Sequence, residues 1–172
     1  MNSEFKTNIE IERKYIIKMP NFSMLSEQRE YTKSDITQIY LSSPKGETHR
    51  VRCRAYSDSV EYYETRKIRI DDMSVTEIEG RITKDRFDDL SKNIATATNP
   101  IVKTRHTFLY KSQTFEIDVY PEWEFTAIME TELSSREEKV EFPHFIEIVC
   151  EVTGDRAYSN AAMSRVFPTE VI

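Results

Sequence analysis

The chain has 172 residues, of which 38% are hydrophobic and 31% charged, with only three glycines. That balance suits one domain with a substantial core. A net charge of −6 argues against general nucleic-acid affinity, and no run of about 18 apolar residues is present to span a membrane. Cys53 and Cys150 make neither a CxxC motif nor a ladder of spacings, so neither a disulfide framework nor a zinc site is expected. The start of the chain, with Glu4, Lys6 and Glu10, contains no apolar signal-peptide core, and a reducing cytoplasm is the expected compartment.

Taken in order, Ile9 to Ile17 reads as a strand with Glu10, Glu12 and Lys14 on one face. Asn21 to Tyr31 reads as a short helix, and Ile36 to Leu41 as a second strand. After the turn at Ser42–Gly46, Thr48 to Tyr56 forms a third strand with Arg50, Arg52 and Arg54 on a shared face. Val60 to Ile70 follows, with Thr65, Lys67 and Arg69 together. Val75 to Ile82 carries Glu77, Glu79 and Arg81 opposite Ile78 and Ile82. Thr83 caps a helix reaching about Ala97, whose stripe of Phe87, Leu90 and Ile94 has core spacing.

Asn99-Pro100 ends that helix. Ile101 to Tyr110 is a strand carrying Lys103 and Arg105, and Thr114 to Tyr120 one carrying Glu116 and Asp118. Thr126 to Leu133 is the eighth strand, with Glu130 and Glu132. Ser135-Arg136-Glu137-Glu138 has capping-box spacing and predicts a further short helix, and Arg156 to Val166 reads as helical. No repeat or linker divides residues 1–172, so a single domain is expected. The histidines His49, His106 and His144 have no ligand spacing, and Trp123 reads as a packing or rim residue.

Seven of the eight strands carry a charged pair at i, i+2, and the pairs are segregated by sign. One such strand is an ordinary solvated face. Seven suggest a sheet curled into a barrel with these faces inward and helices covering the apolar outside: an α+β fold built on an eight-stranded antiparallel β-barrel tunnel. Charge enclosed in a lumen must be paired or hydrated. Cations suited to phosphates and carboxylates suited to divalent metals would give it a use.

Glu10-Ile-Glu12-Arg-Lys14 matches the ExExK signature of the CYTH domain, the triphosphate tunnel metalloenzymes. Arg50-Val-Arg52, Lys67, Glu77-Ile-Glu79, Lys103-Thr-Arg105, Glu116-Ile-Asp118, Glu130-Thr-Glu132 and the tail Glu151-Val-Thr-Gly-Asp155 follow in family order, resembling the short bacterial members. The resemblance implies a tunnel that hydrolyses a triphosphate, most simply inorganic tripolyphosphate, with Mg²⁺ or Mn²⁺. It implies Glu10, Glu12 and Lys14 as the catalytic signature. Lys14, Arg50, Arg52, Lys67, Lys103 and Arg105 would hold phosphates, with Glu10, Glu12, Asp118, Glu130 and Glu132 on metal and Glu116 as an acidic neighbour. Thr65-Arg66-Lys67-Ile68 lacks the glycine common after the family lysine, which leaves the register of Lys67 open.

The partner implied is a small-molecule triphosphate, with neither nucleic acid nor membrane; a homodimer is compatible with the sequence. Two other family activities stay open, a class IV-type adenylate cyclase and a thiamine triphosphatase. The nine residues before Glu10 are fewer than the family's cyclases usually carry. Outside the family's enzymes, a polyphosphate-binding module or a sheet with merely salt-bridged faces are the rivals. A binder could lack the metal acids, and all of them are present.

Overall fold

The computed structural model describes residues 5–172; the first four residues, including the Glu4 of the leader argument, lie outside them. Nine strands, β1 (Lys6–Lys18), β2 (Arg29–Leu41), β3 (Glu47–Ala55), β4 (Val60–Arg69), β5 (Ser74–Ile82), β6 (Ile101–Tyr110), β7 (Gln113–Val119), β8 (Thr126–Glu132) and β9 (Ile148–Glu151), form one antiparallel sheet. Its order is β5-β4-β3-β2-β6-β7-β8-β1-β9, and β1 also pairs with β5. The first eight strands therefore close into a barrel. Closure depends on the length of β1: its first half pairs with β5 from Lys6↔Glu79 to Ile11↔Ser74, and its second with β8 from Glu12↔Glu132 to Lys18↔Thr126. Closing the sheet satisfies edges that would otherwise be open.

Strand alternation decides the two faces. Charged residues point into the lumen. On the outside, Tyr15, Ile17, Phe108, Phe115, Ile117 and Met129 form a buried cluster with Leu25. Val140, Phe145 and Ile146 pack over it. A second cluster, of Tyr40, Ile101, Tyr120, Trp123, Ile128 and Met163, fills one end of the barrel. Trp123 is thus a packing residue; its indole N–H donates to the Pro168 carbonyl at 3.0 Å. The chain after β9 folds across this end, with Gly154 (φ +75°) so close to the Asp72 side chain that a Cβ would meet it at 3.0 Å.

The helices are fewer and shorter than the sequence suggests. α1 is Phe22–Ser26, capped by Asn21; residues 29–31 are strand, not helix, and β2 begins at Arg29 instead of Ile36. Glu30 takes a left-handed φ of 55° where the β2–β6 register shifts, which hides the alternation. α2 is Lys84–Ser91, capped by Thr83, and stops short of Ala97 because the Ala95 N–H donates to the Tyr40 carbonyl at 2.8 Å. Its Phe87 packs on Tyr62, but no residue of the helix is fully buried and Ile94 is exposed. Residues 135–138 form a turn instead of a helix: the Glu138 carboxylate accepts from both the backbone N–H and the hydroxyl of Ser134, each at 2.6 Å. The outer cover expected from helices is thus supplied largely by irregular chain. The tail has one 3-10 turn (Arg156–Tyr158) and a four-residue helix α3 (Asn160–Met163). No helix among the described residues is long and apolar enough to cross a membrane.

Candidate active site

The lumen is a cavity of about 600 Å³. Each strand of the barrel puts its even-numbered or odd-numbered residues on the wall, and the register brings opposite charges face to face. On the β1–β4–β5 side, Lys67 Nζ lies 2.5 Å from Glu10 and 3.0 Å from Glu77. Lys67 thus lines the wall, paired in the sheet with Thr48 of β3 and Glu77 of β5. On the β1–β8 side, Lys14 Nζ lies 2.8 Å from Glu130 and 3.7 Å from Glu12. Arg52 donates to Glu79 at 2.9 Å, and Thr65 donates to the same oxygen at 2.7 Å. Arg105 pairs with Glu116 and reaches Glu130 at 3.2 Å.

Arg50 is the loosely held member. Its nearest carboxylates, Glu77 and Glu79, are 3.9 and 4.0 Å away. The Nε groups of Arg50 and Arg52 are buried and have no acceptor among the described residues. Unmet buried donors are costly, and an anion in the lumen would meet the need.

The titration of the wall follows from this packing. Burial pushes the Glu10 carboxyl up to about 7; Lys67 opposes the shift and Glu77 adds to it. Glu132 is also raised, first by burial and then by the like charges of Glu77 and Glu116. Glu130 is held well below the usual range because Lys14 and Arg105 outweigh its burial. Burial lowers the charge affinity of Arg52, and neighbouring Arg50 lowers it further. Lys14 moves the other way: Glu130 and Glu12 outweigh the cost of its burial.

Lys103 and Asp118 take a different place from the other predicted residues. Both are fully buried behind the wall and do not line the cavity. Asp118 accepts from Lys103 Nζ at 2.5 Å and from Arg105 Nε and Nη2 at 2.7 Å each. Burial brings Lys103 down to about 8 even with Asp118 beside it. These two residues brace Arg105 from behind. Conversely, Arg54 lines the cavity, and the same i, i+2 alternation that marks Arg50 and Arg52 signals it. The histidines face outward contacts: His49 pairs with Glu64 at 2.9 Å, and His106 with Tyr31 at 2.9 Å.

The donor chemistry suits a hard divalent cation. Glu10, Glu12, Glu130 and Glu132 offer carboxylate oxygens, and Glu132, raised first by burial, also has the like charges of Glu77 and Glu116 nearby, which a cation would offset. In the arrangement described, Glu10, Glu12 and Glu130 answer lysine or arginine, and Glu132 makes no ion pair among the described residues. Among the described residues no three metal-ligating side chains converge on one point. Asp118, behind the wall, is not grouped with the other four.

The class of structure is thus a closed antiparallel barrel whose lumen sets rows of cations against rows of carboxylates. The CYTH domain model matches residues 8–162, and the chain belongs to that family. Among solved structures, the inorganic triphosphatase NE1496 is 26% identical, with a TM-score of 0.56 over 93% of this chain and 97% of that one. The PH1819 protein of Pyrococcus horikoshii OT3 is 23% identical, with a TM-score of 0.56 over 74% and 80%. A candidate adenylate cyclase from Bacillus halodurans is 16% identical, with a TM-score of 0.50 over 76% and 83%; at these identities the last two show the shared fold alone. No curated protein matches the sequence.

Proposed function

We propose that the chain is a cytoplasmic, divalent-metal-dependent hydrolase of a small triphosphate, with inorganic tripolyphosphate as its preferred substrate. The observation that carries the reading is the pair Arg50 and Arg52: lumen guanidinium groups whose buried Nε donors lack acceptors. The 26% identity to a protein described as an inorganic triphosphatase supports it. So does the cavity wall. Among the described residues, Tyr40 is its one aromatic side chain, and Tyr40 is packed into the apolar cluster with Tyr120 and Trp123. A nucleobase would find no free stacking partner there.

In hydrolysis, a water oxygen bonds to the terminal phosphorus as the bond to the bridging oxygen breaks. Phosphate and diphosphate form, and the water's proton must pass to a base. The protein's task is mainly to position the chain and offset charge. Arg50, Arg52 and Arg105 offer planar forks to phosphate oxygens, while Lys14 and Lys67 act as point charges. Glu10, raised to about 7, is matched to accept a proton near neutral pH. Glu10, Glu12, Glu130 and Glu132 would hold Mg²⁺ or Mn²⁺, which supplies Lewis-acid charge neutralisation when bound.

The test is kcat/KM for tripolyphosphate, ATP and thiamine triphosphate, each with Mg²⁺ and with Mn²⁺, with products separated by chromatography. Tripolyphosphate should lead, with ATP slow. Cyclic AMP as the main product from ATP, or a higher kcat/KM for ATP, would overturn the assignment. Binding of tripolyphosphate without turnover under any metal would reduce the chain to a binding module.

A further inference from the structure

A second cavity, of about 620 Å³, lies on the outer side of the barrel wall. Its residues alternate along the strands with those of the lumen: Arg66 precedes Lys67 on β4, and Ile78 stands between Glu77 and Glu79 on β5. Phe5, Ile78 and Ile82 give it an apolar floor. The Phe5 ring lies against Gly80, so closely that a Cβ there would meet the ring at 2.8 Å. The missing side chain is what lets the ring lie down on the sheet. Phe5 remains 44% exposed, so its ring is a wall of the cavity and not part of the core.

The charge around this floor is one-sided. Three guanidinium groups, of Arg66, Arg81 and Arg86, and one carboxylate, of Glu64, line the cavity, an excess of two positive charges on a chain whose net charge is −6. Glu64 is 5% exposed and already shared: His49 Nε2 lies 2.9 Å and Arg86 Nη2 3.3 Å from its oxygens. Arg81 pairs with Glu61 at 3.3 Å. Arg66, which sits between His49 and Ile78 across the sheet, has neither an ion pair nor a side-chain hydrogen bond among the described residues. Of the three arginines, it is the one whose whole fork faces the cavity without a counter-charge.

We propose that this outer cavity is a binding site for a small organic anion, a flat apolar body carrying one phosphate or carboxylate group. Both halves of the ligand follow from the wall. A guanidinium offers two parallel donors to either oxyanion, and Arg66 has that fork unused. An inorganic ion would answer Arg66 and leave the floor of Phe5, Ile78 and Ile82 in water. A neutral apolar molecule would cover the floor and bring no charge to the basic rim. A ring laid on Phe5 with its anionic group on Arg66 does both, and about 620 Å³ is the size of a small-molecule pocket. The site goes beyond the triphosphate reading and does not depend on it, because the sheet itself separates the two cavities.

The experiment is a calorimetric titration of the full chain with adenosine 5′-monophosphate, with 2-naphthoate and with inorganic phosphate, for wild type, Arg66→Gln, Phe5→Ala and Gly80→Ala. Wild type should bind at least one of the two organic anions with a dissociation constant below about 1 mM, and inorganic phosphate at least about tenfold more weakly. Whichever organic anion binds supports the site and identifies its head group. Arg66→Gln should weaken that binding about tenfold, the scale of one charge-assisted hydrogen bond, and Phe5→Ala about threefold to tenfold, that of one aromatic contact. Gly80→Ala keeps Phe5 but lifts its ring, and should reproduce Phe5→Ala. Arg66 and Phe5 are both exposed, so their variants leave the core intact, and a thermal melt of each verifies it. Saturating tripolyphosphate should leave the affinity unchanged. No organic anion binding below about 1 mM, equal affinity in wild type and Arg66→Gln, or displacement by tripolyphosphate would each overturn the outer site. Inorganic phosphate binding as tightly as the organic anions would overturn the ligand class. None of these results touches turnover of a triphosphate in the lumen, which is read separately.

Discussion

The buried group formed by Lys103, Asp118 and Arg105 offers a sharp test of what holds the barrel together. Asp118→Asn keeps the size of the side chain and removes its charge. Asp118 is wholly buried and accepts from two cations through three contacts of 2.5–2.7 Å. Removing one partner of such a buried arrangement costs about 3–5 kcal/mol. Two features put this case at the lower bound. Arg105 keeps Glu116 and Glu130, and Lys103, already down to about 8, can shed its proton. The expected loss is then about 3 kcal/mol, which for a chain of this size lowers Tm by about 6–12 °C. Scanning calorimetry at neutral pH reads it. Lys103→Met combined with Asp118→Asn should recover part of the loss, because the neutral pair no longer strands a buried charge. A single variant melting within about 2 °C of wild type would refute the reasoning.

Glu12→Gln should leave the melting curve nearly unchanged while turnover of tripolyphosphate in Mg²⁺ falls about 100-fold or more, the scale of losing one pre-set electrostatic group; wild-type turnover would remove Glu12 from the metal set. The Glu10 carboxyl predicts a pH dependence. Its folded value of about 7 lies above its ordinary 4.5, so the folded state holds the proton more tightly. That contribution is fully present below about 4.5 and is lost as pH rises through 7 in metal-free protein. Protons should also compete with divalent metal, weakening its binding as pH falls below 7. Isothermal titration between pH 6 and 8 reads the competition, and Glu10→Gln should flatten the Glu10 part of the slope.

Most of the wall was legible in the sequence because a strand's alternation separates its faces without regard to the rest of the fold. Glu10, Arg52, Lys67 and Arg105 reach the lumen by that rule alone. Alternation does not tell how far along the barrel a residue sits. Lys103 shares a face with Arg105 but lies deeper, against Tyr120, at a height set by how neighbouring strands are staggered. Two segments were hidden for local reasons. The first half of β2 is masked by the left-handed Glu30, and β9 has four residues, too few to show a period. In the Ser135–Glu138 pattern the Glu138 carboxylate accepts from Ser134 and not from the Ser135 N–H that a capping box would use, and the turn never continues into a helix.

The paired charges of the lumen also have a consequence for how two ligands share it. A polyanion that draws Lys67 away from Glu10, or Lys14 away from Glu130, leaves a carboxylate without its counter-ion. A divalent cation that takes those carboxylates leaves the lysines free for phosphate oxygens. Under the proposed function, each ligand therefore does part of the other's desolvation and partner exchange in advance. Linkage makes the gain mutual: whatever factor the cation adds to polyanion affinity, the polyanion adds to the cation's. On that reading, the resting barrel is a set of internal stand-ins, with lysines in the place of metal and glutamates in the place of phosphate.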